Sequence, residues 1–139
     1  MFENRRSQIQ EQRSLYLYFW LRLAGTGKST VVKYIVSALD IQSQDVCYVA
    51  FTGKASLVLK EKGCPNAMTA HRLLYKTRPN KDGTFYHEPR YPLEHPYKLI
   101  IVDEVSMLPK ELWNLLLSHR VHIIALGDPG LVLARVKTV

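Results

Sequence analysis

Seven consecutive residues, Ala24-Gly25-Thr26-Gly27-Lys28-Ser29-Thr30, join two glycines, a lysine and three hydroxyls in a pattern suited to phosphate chemistry. A polyphosphate presents closely spaced anionic oxygens. Successive backbone N–H groups of a glycine-rich loop can surround them, and the start of a following helix adds its dipole. Gly25 and Gly27 permit the close approach because they lack Cβ. Lys28 can neutralise the β- and γ-phosphates, and the Ser29 hydroxyl can ligate magnesium. The competing reading is a chance glycine-rich turn. In the full pattern a glycine stands five residues before Gly27, and here that position is Arg22. If that backbone is one only glycine adopts, Arg22 strains the loop by roughly 1–3 kcal/mol.

A second group is Ile100-Ile101-Val102-Asp103-Glu104, an apolar run ending in two carboxylates. Adjacent carboxylates at a strand end are costly unless a cation or a reaction uses them. Asp103 can hold magnesium and Glu104 can polarise an attacking water as general base; the alternative is a solvated acidic turn. Asp128, in Leu126-Gly127-Asp128-Pro129, can sense a γ-phosphate or merely cap a turn. Thr52-Gly53-Lys54 and Thr69-Ala70-His71-Arg72 offer hydroxyls and cations suited to nucleic-acid phosphates, although from the residues alone Thr69 reads more readily as an ordinary helix cap. Tyr86, Tyr91 and Tyr97, interleaved with Lys81, Arg90 and Lys98, can stack bases or pack a loop.

These residues need elements to position them. The aromatic run over 15–21 reads as a buried strand. A helix is expected over 28–39, with Val31, Val32, Ile35, Val36 and Leu39 at helical spacing. Strands are expected over 45–51, 98–103 and 122–127, and helices over 54–62, 68–75 and 109–119. The stretch 76–97, rich in proline, tyrosine and histidine, is too long for an ordinary connection and reads as an inserted hairpin or loop subdomain, with a turn at 81–84. Apolar strands alternating with helices imply an α/β fold, a parallel sheet with helices on both faces. In such sheets ligands bind beyond the carboxyl ends of the strands, where the phosphate loop, Asp103 and Asp128 would converge.

The 139 residues are expected to form one domain. Hydrophobic residues at 47% and charged residues at 22% exclude a disordered chain. The formal charge of +7 favours polyanionic partners. Cys47 and Cys64 have no metal-ligand spacing and read as reduced thiols. With no apolar run of membrane-spanning length and no secretory plan at the start, a cytoplasmic, or at least intracellular, protein without a membrane partner is expected.

Taken together the motifs resemble the first motor domain of the RecD- and Dda-like superfamily 1 DNA helicases. The resemblance runs through the phosphate loop 24–30, Ala50-Phe51-Thr52-Gly53-Lys54-Ala55, Thr69-Ala70-His71-Arg72-Leu73-Leu74, Ile101-Val102-Asp103-Glu104-Val105-Ser106-Met107 and Leu126-Gly127-Asp128-Pro129-Gly130. It implies a RecA-like fold and ATP hydrolysis with Mg2+. Nucleotide would be held by Gly25, Thr26, Gly27, Lys28, Ser29, Thr30 and Asp128, and metal by Ser29 and Asp103. Catalysis would rest on Lys28, Asp103 and Glu104, and single-stranded DNA would lie on Thr52, Lys54, Thr69 and His71. It further implies 5′ to 3′ movement and a strand-separating role for the inserted segment. A second RecA-like domain, supplying an arginine to the γ-phosphate, is expected as a partner outside this chain. The family pattern departs at Arg22 and again at Leu131-Val132-Leu133, so the chain reads as a fragment altered at both ends, impaired by itself. Two other readings stay open: a catalytically silent nucleotide- or nucleic-acid-binding module, and another phosphate-loop enzyme such as a small kinase.

Overall fold

The computed structural model describes residues 27–64 and 66–127. The expected strand over 15–21, Arg22, Gly25, Thr26 and Asp128 lie outside them. In chain order the elements are helix α1 (Gly27–Ala38), strand β1 (Val46–Ala50), helix α2 (Gly53–Glu61), strand β2 (Ala67–Thr69) and helix α3 (Ala70–Leu74). They continue with strands β3 (Tyr75–Pro79), β4 (Phe85–Pro89) and β5 (Leu99–Val102), helix α4 (Lys110–Ser118) and strand β6 (His122–Ala125).

Four of the strands form one sheet in the order β2-β1-β5-β6, and every pairing in it is parallel. A parallel sheet buries both faces, so its strands are expected to be largely apolar. β5, Leu-Ile-Ile-Val, is buried throughout. Alternation along the strands divides these side chains between two layers. Cys47, Val49, Ile100, Val102, Ile123 and Ala125 face Leu73, Leu74, Leu112, Trp113 and Leu116 of α3 and α4. Val46, Leu99, Ile101, Ile124 and Leu126 face Val32 of α1 on the other side, with Ile35 and Val36 beside it. The fold is therefore α/β with helices on both faces, as the apolar pattern implies.

The stretch expected to be one helix over 68–75 is divided. Its first part is β2, aligned against β1 by the register Tyr48↔Ala67, Val49↔Met68 and Ala50↔Thr69. The helix that follows is five residues long. Pairing with β1 satisfies the backbone of Ala67–Thr69, and this outweighs local helical preference in so short a segment.

β3 and β4 make a separate antiparallel pair. Its turn is closed by the Asn80 N–H donating to the Thr84 carbonyl at 2.7 Å, and by Asp82 Oδ1 accepting from the Thr84 N–H at 2.9 Å. Gly83 supplies the φ of +87° that the turn requires. The return segment is fastened to the main body. The Arg90 N–H donates to the Leu74 carbonyl at 2.7 Å and Arg90 Nε to the Tyr75 carbonyl at 3.1 Å. Tyr91 stacks on His119 with ring centroids 4.8 Å apart, and its hydroxyl pairs with Ser118 Oγ at 2.9 Å.

The buried sheet makes the fold lose stability at alkaline pH. Burial pushes the Cys47 thiol from 9.0 up to about 12, and burial, with Cys64 beside it, pushes Tyr48 from 10.0 up to about 12. The fold thus favours the neutral forms. Their contribution is complete below the unfolded pKa values and disappears as pH rises through them toward the folded ones. Urea unfolding midpoints are expected to hold to about pH 8 and to fall steadily toward about pH 11, with Cys47→Ala flattening the early part of the decline.

Candidate nucleotide and nucleic-acid site

Because all four strands of the sheet run the same way, the loops that leave them share one edge. Thr52 follows β1, Asp103 and Glu104 follow β5, Gly127 lies just beyond β6, and β2 itself ends on Thr69. α1 meets this edge at its start. It ends at Ala38, and the chain enters β1 at Val46 after a short turn, so the end of α1 lies at the amino edge of the sheet. A helix of 12 residues spans about 18 Å at ~1.5 Å per residue, which returns Gly27 to the carboxyl edge. Gly27, Lys28, Ser29 and Thr30 form the first turn of α1, and for these four the backbone alone is described. Unpaired N–H groups of such a first turn, with the helix dipole, favour an anion.

The carboxylate pair is held by the sheet. The Asp103 N–H donates to the Val49 carbonyl of the neighbouring strand at 2.8 Å, and the Val105 N–H donates to the Leu126 carbonyl beyond β6 at 2.9 Å. Between these two anchors Glu104 takes a left-handed backbone, φ 50° and ψ 62°. For a residue with a long side chain that conformation costs of order 1–3 kcal/mol and persists where the surroundings dictate it, often at functional sites. Asp103 is half-buried and Glu104 exposed.

Magnesium bound to a nucleotide takes one or two protein carboxylates and completes its shell with phosphate and water. Among the described residues no three His, Cys, Asp or Glu side chains gather as a metal site. A half-buried carboxylate at the end of an apolar strand fits that sparse donor set and does not make an all-protein cage.

Two threonines cap helices at the same edge. Thr52 accepts from the Ala55 N–H at 3.1 Å, at the start of α2, and Thr69 accepts from the Arg72 N–H at 3.2 Å, at the start of α3. The capping reading of Thr69 is therefore correct. It leaves phosphate contact open, since a hydroxyl oxygen that accepts one bond can still donate its own proton. Lys54 and His71 are exposed. His71 sits between two rings that sequence reasoning did not single out, Phe51 at 6.2 Å and Tyr75 at 6.1 Å between centroids. The available signal was aromatic residues flanking the two hydroxyl motifs. Of the tyrosines considered for stacking, Tyr97 packs against the core and Tyr91 against His119. Both take the packed-loop alternative.

A family profile described as an AAA domain matches residues 18–133. The chain is similar to the ATP-dependent RecD2 DNA helicase of Deinococcus radiodurans, 40% identical over 94 residues that make 68% of this chain and 12% of that protein. It is also similar to the ATP-dependent DNA helicase dda of Enterobacteria phage T4, 32% identical over 111 residues, 76% of this chain and 25% of that protein. The chain belongs to the superfamily 1 helicase motor-domain family. This motor domain spans a small part of the length of both relatives. No helix among its described residues is long and apolar enough to cross a membrane.

Proposed function

We propose that this motor domain binds ATP with magnesium and, together with a second RecA-like domain, couples hydrolysis to 5′ to 3′ movement along single-stranded DNA. The observation that carries the reading is a coincidence of edges. The start of α1, the Asp103–Glu104 pair and the Thr52 and Thr69 caps all lie where the parallel strands finish. Gly25 to Thr30 would surround the phosphates with backbone N–H groups, Lys28 would neutralise charge on the transferred phosphoryl group, and Asp128 would sense the γ-phosphate. Ser29 and Asp103 would hold magnesium, which when bound screens phosphate charge. Glu104 would orient and polarise the attacking water. Thr52, Lys54, Thr69 and His71 would meet DNA phosphates a short distance along the same edge, so that closure around nucleotide and grip on the strand act on one set of loops. An arginine reaching the γ-phosphate from the second domain would complete the charge balance.

The test is titration with a fluorescent ATP analogue, with and without magnesium, on the chain and on Lys28→Ala, followed by phosphate release with and without single-stranded DNA. Magnesium-dependent binding that weakens at least about tenfold in the variant is expected, since Lys28 makes a charge-assisted contact. Binding that ignores both magnesium and Lys28 would rule the nucleotide reading out. Magnesium-dependent binding with no DNA-stimulated turnover would favour a silent binding module.

A further inference from the structure

Helices α1 and α2 lie on the same face of the sheet. Val46, Tyr48 and Ala50 alternate along β1 toward that face. Val32 of α1 packs in the cluster with Val46, and Leu59 of α2 packs in the cluster with Ala50. Tyr48, partly buried, packs against both clusters. The two helices begin at different motifs. α1 opens with Lys28 and Ser29, whereas α2 is capped by Thr52 and carries Lys54 in its first turn.

A lysine joins them. Lys33 stands on α1, about 7.5 Å along the axis from Lys28 at ~1.5 Å per residue. Its Nζ donates to the Lys62 carbonyl at the end of α2, at 2.7 Å. The last turn of α2 leaves that carbonyl to a side chain. The Gly63 N–H donates to the Lys60 carbonyl at 3.1 Å and the Cys64 N–H to the Leu59 carbonyl at 3.0 Å, the paired closing bonds of a left-handed helix stop. Neither bond uses the Lys62 oxygen. A cation at this point also meets the negative end of the α2 dipole. Gly63, at φ +90°, leaves room for the lysine, because a Cβ there would come within 2.9 Å of Lys33 Nζ.

We propose that Lys33 is a positioning residue whose bond to the Lys62 carbonyl makes α1 and α2 shift together, passing nucleotide occupancy at the start of α1 to the phosphate-contact residues at the start of α2. The proposal rests on the nucleotide and DNA readings above and names the side chain that links them. A helix moves as a rigid element, so a displacement applied at Lys62 arrives at Thr52 and Lys54. Without the bond the helices meet through apolar contact around Tyr48, which has no direction and permits sliding.

The experiment measures the affinity of a labelled oligothymidylate by fluorescence anisotropy, in magnesium at one fixed, low salt concentration. Each titration is run with and without a saturating non-hydrolysable ATP analogue, on the chain, on Lys33→Met and on Lys33→Arg. Lys33 is exposed, so neither substitution opens a core cavity, and circular-dichroism melts verify folding. The readout is the ratio of the two affinities. Simple loss of a positive charge would weaken oligothymidylate equally in both states and leave that ratio alone. The analogue is expected to change the affinity of the parent chain at least about fivefold, the lower end of ordinary coupling between sites. Lys33→Met is expected to bring the ratio to within about twofold of unity. Lys33→Arg, which can still donate to the carbonyl, is expected to keep most of it. If Lys33→Met retains the parent ratio, or Lys33→Arg loses it as fully as Lys33→Met, the tie is overturned while the nucleotide and DNA readings stand. A parent chain that binds both ligands without any change in ratio overturns it as well. If the chain binds neither ligand, the two readings fail and the tie falls with them.

Discussion

Glu104→Gln is expected to slow single-turnover ATP cleavage about 10²–10⁴-fold, the usual contribution of a positioned general base, while nucleotide affinity stays within about threefold. Glutamine keeps the size of the side chain and its hydrogen-bonding reach, so the substitution isolates proton affinity and charge. The backbone argues for the same position. Glu104 is held at φ 50° between the Asp103 N–H bond to Val49 and the Val105 N–H bond to Leu126. A strained backbone anchored to both neighbouring strands limits how far Glu104 can shift. Glu104→Gly supplies a second measurement, because glycine adopts this conformation without the Cβ penalty. Its thermal midpoint should match or exceed that of the parent chain even as cleavage is lost. Phosphate release measured after mixing enzyme in excess over radiolabelled ATP decides the matter. Turnover by Glu104→Gln equal to the parent would remove Glu104 from the chemistry.

The largest effect on stability is expected at Trp113. Its side chain is fully buried on α4, within the cluster that contains Leu74, Ile100, Leu116 and Ile123. Trp113→Ala removes the largest fully buried side chain of the described core and should cost about 3–5 kcal/mol, combining lost transfer energy with the cavity left behind. Trp113 Nε1 is buried with no hydrogen-bond partner among the described residues. An unsatisfied buried donor carries a desolvation penalty of about 1–3 kcal/mol. Trp113→Phe, which removes that donor and keeps much of the ring, should therefore cost distinctly less than truncation. Urea unfolding followed by circular dichroism checks both. A loss under about 1 kcal/mol in Trp113→Ala would mean that α3, α4 and the sheet close over the gap far better than cores usually do.

Both effects arise where local pattern and tertiary contact meet, and the two contributions can be separated by element. The strands at Val46–Ala50, Leu99–Val102 and His122–Ala125 follow from runs that are apolar apart from the exposed His122 at the start of the last, because a strand covered on both faces has little room for a polar side chain. The helices Gly27–Ala38 and Lys110–Ser118 follow from apolar residues at helical spacing. Five short motifs in order were enough to place the family, since each requires particular atoms at particular backbone positions and none depends on distant packing.

Tertiary structure decided what local pattern could not encode. Ala67–Thr69 becomes a strand because β1 offers it partners. Glu104 becomes left-handed because Val49 and Leu126 fix the chain on either side of it. Phe51, His71, Tyr75 and His87 become neighbours because a parallel register and a hairpin bring together residues with no common spacing in the chain. The sequence by itself thus determined the three central strands, the two long helices and which short motifs are candidates for phosphate, since those depend on neighbouring residues. Register, backbone strain and the alignment of rings arose from contacts between distant segments, whose geometry exists only once the chain has closed on itself.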